Sequence, residues 1–154
     1  MRKVILVFFA TLLIFFAPSR QRLFAQPATS QPLAKLTIKV VDLRNHKGQL
    51  IFGVFDSEKG FPSSEKNAKN WQVHAVDADT VEFTCELPPG KYGASALHDE
   101  NKNNKMDTNA VGIPSEGYAV TNNPKPKFRA AKFSEALFDL PPEGKTLTIS
   151  MQYF

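Results

Sequence analysis

The sequence predicts an all-β fold, an antiparallel β-sandwich of about seven strands. Short segments alternate apolar and polar residues, the turns between them are rich in Gly, Pro and Asn, and no long amphipathic helical pattern interrupts them. Alternation with a period of two places the apolar side chains of a strand on one face of a sheet. Several such strands separated by tight turns are typical of a sandwich.

Each predicted strand is a short segment with its own pattern. The alternating segments are KLTIKV (35–40), WQVHA (71–75), TVEFTCEL (80–87) and TLTISMQY (146–153). In WQVHA the alternation predicts that Trp71 and Val73 face the core and that His74 faces solvent. QLIFGVFD (49–56) is apolar on both faces, which indicates a strand covered on both sides. KYGASALH (91–98) and SEALFDL (134–140) complete the set.

The beginning of the chain has the pattern of a secretory signal peptide. Arg2 and Lys3 precede an uncharged apolar run over 4–17, which is shorter than the roughly 20 residues that span a bilayer. We therefore predict a signal peptide over 1–25 with cleavage after Ala25, a Pro-bearing linker over 26–34 and one domain over 35–154. The predicted location is the periplasm or the cell surface. The alternative is an uncleaved anchor.

The charge balance of the predicted mature chain is even. The full chain has 19 Lys and Arg against 15 Asp and Glu, and Arg2, Lys3, Arg20 and Arg22 fall within the first 25 residues, where there is no acid. Removing them leaves 15 basic residues against 15 acidic ones. A nucleic-acid partner needs a clustered basic surface, so the composition predicts none.

Common catalytic motifs are absent from the sequence. It contains no GxSxG, HExxH or CxxC and no glycine-rich phosphate loop. Ser95 and Asp99 share one face of an extended strand while His98 points to the other, so they form no local triad. These observations favour a non-catalytic binding or structural module of the cell envelope. The alternative is a small carbohydrate-active enzyme or another periplasmic hydrolase whose acids converge only in the fold.

One polar segment, HDENKNNKMD (98–107), has the ligand order of an EF-hand-type calcium loop. Oxygen-bearing side chains occupy its first, third, fifth and ninth positions, counted from Asp99, and the carbonyl of residue 105 is available at the seventh; the candidate ligands are Asp99, Asn101, Asn103, Lys105 and Asp107. Asn104 stands at the usual glycine, and asparagine enters the left-handed region at modest cost. The twelfth position is Ala110, so a further carboxylate has to come from Glu116.

The residues around these ligands predict weak binding. Lys102 and Lys105 offset part of the carboxylate charge. We expect calcium affinity in the roughly 10⁻⁴–10⁻³ M range of extracellular modules. The alternative is a polar turn in which Asn and Asp side chains cap the main chain without an ion.

A second candidate site lies in the segment 112–133, which has no periodicity and is predicted to be irregular. Its aromatic and cationic residues are candidates for binding a glycan or an envelope protein: Tyr118, Lys125, Lys127, Phe128 and Arg129. The alternative is a surface loop whose aromatic residues pack onto the sandwich. A membrane contact is expected only through an uncleaved N-terminal segment.

Three segments carry a resemblance to a known family. VVDLRNHKGQLIFGVFDSEKGFP (40–62), LPPGKYGASALHDENKNNKMDTN (87–109) and GIPSEGYAVTNN (112–123) together resemble the small exported bacterial proteins grouped as domain of unknown function 2141 (DUF2141). The likeness runs from about Leu36 to Tyr153. It implies a prealbumin-like or immunoglobulin-like sandwich and brings no activity. Asn104 replaces a glycine of the family's acidic loop, and FRAAKF (128–133) stands where a Gly-Pro-Pro run is more usual.

Overall fold

The computed structural model describes residues 32–126 and 129–154. They form two sheets packed as a β-sandwich, which confirms the predicted fold class. The strands are β1 Ala34–Val41, β2 Gln49–Phe55, β3 Asn70–Ala75, β4 Val81–Leu87, β5 Gly90–Asp99, β6 Gly117–Val120, β7 Phe138–Leu140 and β8 Lys145–Ser150. A 3₁₀ turn, Glu65–Asn67, and one short helix, α1 Phe133–Ala136, complete the elements. The predicted signal peptide lies outside the described residues.

The two sheets differ in size and in strand direction. The smaller has the order β4-β1-β8, and the larger has the order β3-β2-β5-β6, with β7 paired to the beginning of β5. All neighbouring strands are antiparallel except β1 and β8, which are parallel. The ten-residue strand β5 pairs with β2, β6 and β7 and therefore joins most of the larger sheet.

The main core lies between the inner faces of the two sheets. Alternate residues of β1 and β4 are buried there, and the rings of Phe52 and Phe83 stack across the core with their centroids 4.5 Å apart. Cys85 is buried on the same face of β4, as the alternation predicts, and burial raises the pKa of its thiol to about 11. A protonated thiol without access to solvent is a packing group, so Cys85 contributes as a small apolar residue.

A second aromatic cluster covers the outer face of the larger sheet. The ring of Phe61 packs edge-on against Phe55 on β2, at 5.4 Å between centroids, and against Phe133 on α1, at 5.5 Å. Val120, Ala131 and Ala136 are buried around them. Because this cluster covers one face and the main core covers the other, β2 is buried from Leu50 through Phe55. The prediction of a strand covered on both sides is therefore confirmed.

The predicted facing of β3 is wrong. Val73 is 48% exposed, whereas His74 is half-buried and lies 4.6 Å from the ring of Phe83, on the side of the main core. β3 is an edge strand, and the side-chain amide of Gln72 donates to the main-chain carbonyl of Thr84 on the opposite sheet, 3.0 Å away. Polar side chains on this face close the open edge of the sandwich. Trp71 points to the other face, where its ring lies against Gly53.

Two further expectations need correction. The segment SEALFDL is not one strand, because Ser134–Ala136 belong to α1 and only Phe138–Leu140 form β7. The segment 112–133 is not irregular throughout, because Gly117–Val120 pair with β5 as β6. In both segments, the residues that form a strand are those that find main-chain hydrogen-bond partners along β5. Local alternation does not reveal these partners.

Within the described ranges, no helix has the length and apolar character needed to cross a membrane.

Replacing Phe83 tests the position of the main core. We expect Phe83→Ala to lower the free energy of unfolding by about 3–5 kcal/mol, since it removes a buried ring and leaves a cavity. Val73→Ala, at an exposed aliphatic position, is the control and is expected to change it by less than about 0.5 kcal/mol. Urea unfolding measures both changes, provided that the dependence of the unfolding free energy on urea concentration is the same in each variant. Equal losses in the two variants would contradict this description of the core.

Candidate functional site

The candidate calcium ligands lie on one loop at the end of β5. Asp99 is the last residue of that strand, and the chain returns to the sheet at Gly117, the first residue of β6. Asp99 pairs with Gln49 at the start of β2, so the turn between β1 and β2 packs against the loop. A Cβ atom on Gly48 would lie 2.1 Å from the carbonyl oxygen of Asp99, which explains the glycine in this turn.

The Asp99 carboxylate organises the first half of the loop. It is buried, and it accepts hydrogen bonds from the main-chain N–H of Asn103 at 3.1 Å and of Asn104 at 2.8 Å. The side-chain amide of Gln49 donates to it at 2.8 Å. Burial by itself would raise the pKa of Asp99, but these donors and the N–H of Lys102 outweigh burial, and the pKa is lowered from its ordinary value.

Two residues of the loop other than glycine have left-handed backbone conformations. Asn104 has φ 63°, as expected for the residue at the glycine position, and Lys102 has φ 64°. A lysine in this region costs on the order of 1–2 kcal/mol. The hydrogen bonds to the Asp99 carboxylate hold the loop in this conformation, because they need the N–H groups of residues 103 and 104 turned inward.

The two asparagines converge on Asp107. The side-chain amide nitrogens of Asn101 and Asn103 donate to Oδ2 of Asp107 at 2.6 and 2.8 Å. Their amide oxygens accept from the N–H groups of Asn103 and Lys105, at 3.0 Å each. The structure therefore brings the first, third, fifth and ninth positions of the sequence pattern into one hydrogen-bonded cluster.

Glu116 folds back onto the loop. Its carboxylate is buried, with Oε1 accepting from the N–H of Glu100 at 2.9 Å and Oε2 accepting from the N–H of Asp107 at 3.1 Å. Ala110, at the twelfth position, lies instead on an exposed turn. Glu116 thus ties both ends of the loop to the beginning of β6.

A buried histidine and a tyrosine attach this end of the sandwich to the segment that follows β8. His98 is fully buried, with Nδ1 2.7 Å from the hydroxyl of Tyr153 and Nε2 2.8 Å from the carbonyl of Lys47. A carbonyl only accepts, so Nε2 carries the proton and, in the neutral ring, Nδ1 accepts from Tyr153. Sequence alternation places His98 at a strand end, but the partners that bury it come from distant segments.

Arg44 connects the loop to the same cluster. Its Nε donates to Glu100 at 2.6 Å, its terminal nitrogen donates to the carbonyl of Ser115 at 2.9 Å, and its guanidinium lies 4.6 Å from the centroid of the Tyr153 ring. Burial tends to raise the pKa of Glu100, but hydrogen bonds from Arg44 and Asn45 lower it. Nothing in the sequence pattern singled out Arg44, because its partners are 56 and 71 residues away.

The cluster can offer a cation carboxylate, amide and main-chain oxygens. Across residues 32–126 and 129–154, no three side chains of His, Cys, Asp or Glu are grouped closely enough to hold a metal ion. A bound cation would therefore draw on the asparagine oxygens and the Lys105 carbonyl as well as on carboxylates. Such a mixed set of oxygen ligands suits calcium rather than a transition metal.

The second set of candidate residues is divided by the structure. Tyr118 is half-buried on β6, where its ring stacks on Phe154 at 5.7 Å, and burial raises the pKa of its phenol while the nearby Arg129 opposes this. Arg129 forms a bidentate pair with Glu135, at 2.9 and 2.7 Å, and so supports the beginning of α1. Lys125 is exposed. Lys127 and Phe128 lie outside the described residues.

These features define a class of protein: a β-sandwich with a hydrogen-bonded acidic loop at one end. A family model described as "Uncharacterized protein conserved in bacteria (DUF2141)" matches residues 38–149. The chain belongs to this family, which confirms the resemblance seen in the sequence. No curated protein and no solved structure matches the chain.

Acid titration tests the role of Asp99. Its pKa lies below the ordinary value of 3.8 in the folded protein, so its contribution to stability is present above that value and is lost as pH falls towards the folded pKa. Asp99→Asn should have a lower free energy of unfolding than the wild type at pH 7. The difference in free energy between the two proteins should become smaller below about pH 4. Urea unfolding from pH 7 to pH 3 measures it. A constant difference over that range would contradict the assignment.

Proposed function

We propose that the protein is a non-catalytic module of the bacterial cell envelope whose loop from Asp99 to Glu116 holds a structural calcium ion. One observation carries the proposal: Glu116 returns to the loop that contains Asp99 and Asp107 and accepts from the N–H of Asp107, so it would be available to supply the carboxylate that the twelfth position lacks. The ligand order of the sequence and the position of Glu116 in the folded loop both support the proposal.

The state of the carboxylates supports a structural role over a catalytic one. Asp99 and Glu116 are both buried and accept hydrogen bonds from main-chain N–H groups of their own loop. A general acid or nucleophile has to reach a substrate atom within hydrogen-bonding distance. These two side chains are instead directed at the chain itself, where a charged oxygen stabilises the loop.

Calcium would stabilise the loop further by binding oxygen atoms of the same side chains. It accepts six to eight oxygen ligands in flexible geometry, including monodentate carboxylates, amide oxygens and carbonyls. The main-chain bonds already hold Asp99 and Glu116 near the loop, so less ordering is needed on binding. The ion would connect the end of β5 to the beginning of β6 and reduce the opening of the loop.

Calcium should raise the thermal stability of the protein. For a dissociation constant of roughly 10⁻⁴–10⁻³ M, 10 mM calcium stabilises by about 1.4–2.7 kcal/mol, or roughly 5–10 °C in Tm. The measurement is thermal unfolding of a chain beginning at Gln26, in calcium and in chelator. This chain keeps the eight strands and the two core clusters that the structure describes, which lie between Ala34 and Met151.

The double variant Asp99→Ala with Asp107→Ala should lose the calcium-dependent increment, whatever its own Tm. The matched control is Asp77→Ala with Asp139→Ala, two exposed acids outside the loop, which should keep the increment. Identical midpoints in calcium and in chelator for the wild type would leave the loop as a hydrogen-bonded turn without an ion.

We propose export from the cytoplasm on the basis of the N-terminal sequence. Intact mass of the protein recovered from the periplasm or medium of a bacterial host should show a chain beginning at Gln26. Ala25→Tyr should block cleavage, because a small residue is required there, whereas Ala28→Tyr, beyond the site, should be processed normally. Recovery of a chain that retains Met1 would indicate the anchor.

A further inference from the structure

The sheet edges of the sandwich are not equally covered. The outer edge of β6 is paired, because the N–H of Tyr118 donates to the carbonyl of Gln152 at 3.0 Å and the N–H of Gln152 donates back at 2.8 Å. The outer edge of β8 is occupied by Asn123, whose side chain accepts from the N–H of Ser150 and donates to the carbonyl of Thr148. Within the part of the chain that the structure describes, β3 has β2 on one side and no main-chain partner on the other.

The main-chain groups at the outer edge of β3 belong to alternate residues. The carbonyl of Val54 on β2 points towards β3, where it accepts from the N–H of Lys69 at 2.7 Å. Main-chain groups alternate in direction along a strand, so the even-numbered residues of β3 bond to β2, and the N–H and C=O groups of Trp71, Val73 and Ala75 point away from it. The polar side chains of β3 bond to each other and to the opposite sheet, and not to these groups.

This edge is accessible and carries no charge. Val73 and Ala75 are exposed, and an open groove runs beside them, between the end of β3 and the start of β4. β3 has the sequence NWQVHA, without the charged residues or proline by which edge strands commonly avoid pairing with another chain. β4, the neighbouring edge of the smaller sheet, exposes Glu82 and Glu86, and its Thr84 carbonyl already accepts a side-chain amide.

The outward main-chain groups of β3 are arranged symmetrically about Val73. In an antiparallel pair with Val73 opposite the same residue of a second copy, Trp71 lies opposite Ala75 of that copy. Each of these residue pairs exchanges both of its N–H···O=C hydrogen bonds, so every outward group of the three residues gains a partner. The arrangement has two-fold symmetry, which is the commonest symmetry of soluble oligomers. β3 is therefore complementary to itself.

The side chains match in the same register. Trp71, Val73 and Ala75 share the outer face of the sheet, so those of the two copies would form one continuous apolar band. Val73, which is 48% exposed in the single chain, would lie at the centre of this band. On the inner face, Gln72 lies opposite His74 of the second copy, and an amide and an imidazole can exchange a hydrogen bond.

The charges just beyond the ends of β3 also match. Lys69 precedes the strand and Asp77 follows it, and both are exposed, so Lys69 of one copy lies across from Asp77 of the other. Lys69 also pairs with Asp56 of its own chain, at 2.8 Å, and the neighbouring Lys66 and Glu65 balance each other. These charges therefore supply a local ion pair at each end of the strand and no net attraction between charged surfaces.

We propose that two copies of the chain form a weak two-fold dimer in which their β3 strands pair antiparallel, with Val73 at the centre, and join the two larger sheets into one. An edge strand of six residues offers less than the roughly 800 Å² per partner of a standard interface. The dissociation constant is therefore expected to lie between the micromolar and the millimolar range.

Sedimentation velocity tests the dimer with the chain beginning at Gln26. Chelator is present throughout, so the outcome does not depend on calcium. From about 1 µM to about 1 mM, the mean mass of the wild type should rise from that of a monomer towards that of a dimer. Val73→Lys should raise the dissociation constant at least about tenfold, because it places two ammonium groups opposite each other on the two-fold axis.

The matched control is Val111→Lys, the same substitution at an exposed valine outside β3, which should leave the dissociation constant unchanged. A wild type that stays monomeric at about 1 mM would overturn the proposal. An equal effect of the two substitutions would overturn it as well.

Cysteine substitution tests the register. In the proposed pair the two Cα atoms of residue 73 are about 5.5 Å apart, which a disulfide can bridge. Val73→Cys should therefore give a disulfide-linked dimer under mild oxidation. Ala75→Cys should not, because its two copies are separated by about four residues of strand, or roughly 13 Å. Cys85 is buried and is common to both variants. Equal cross-linking of the two variants, or none in Val73→Cys, would contradict this register.

Discussion

The pairing of β2 with β5 is the constraint on which the rest of the structure depends. The two strands are in register from Gln49 opposite Asp99 to Phe55 opposite Gly93, in the middle of the larger sheet. The inner face of this pair contributes Phe52 to the main core, and the outer face contributes Phe55 to the second cluster. Because the same register ends at Asp99, it also sets where the acidic loop leaves the sheet.

The acidic loop shows how buried charge can organise a segment that has little apolar surface. An ionised carboxylate is costly to bury unless hydrogen bonds compensate it, and Asp99 and Glu116 each receive main-chain N–H groups. The N–H groups also gain from these hydrogen bonds, because in a turn they would otherwise lack main-chain acceptors. The loop and the cluster of His98 and Tyr153 are therefore parts of one hydrogen-bonded end of the sandwich.

The calcium proposal assigns a task to this end of the molecule. The ion would draw on amide and main-chain oxygens of the loop as well as on its carboxylates. The proposal depends on the loop keeping its shape, which the main-chain bonds to the two buried carboxylates provide. A rigid scaffold that presents functional loops is a common use of a sandwich fold.

The sequence by itself determined the fold class, the two-sided burial of β2 and the grouping of the polar side chains of the acidic loop, because each follows from local period or local spacing. It did not determine the facing of His74, the strand Gly117–Val120 or the role of Arg44. His74 turns inward because β3 lies at a sheet edge that polar side chains close, Gly117–Val120 form a strand because β5 offers unpaired main-chain groups, and Arg44 meets Glu100 and Ser115 only in the folded chain. Each of these depends on partners supplied by remote segments, so only the tertiary structure decided them.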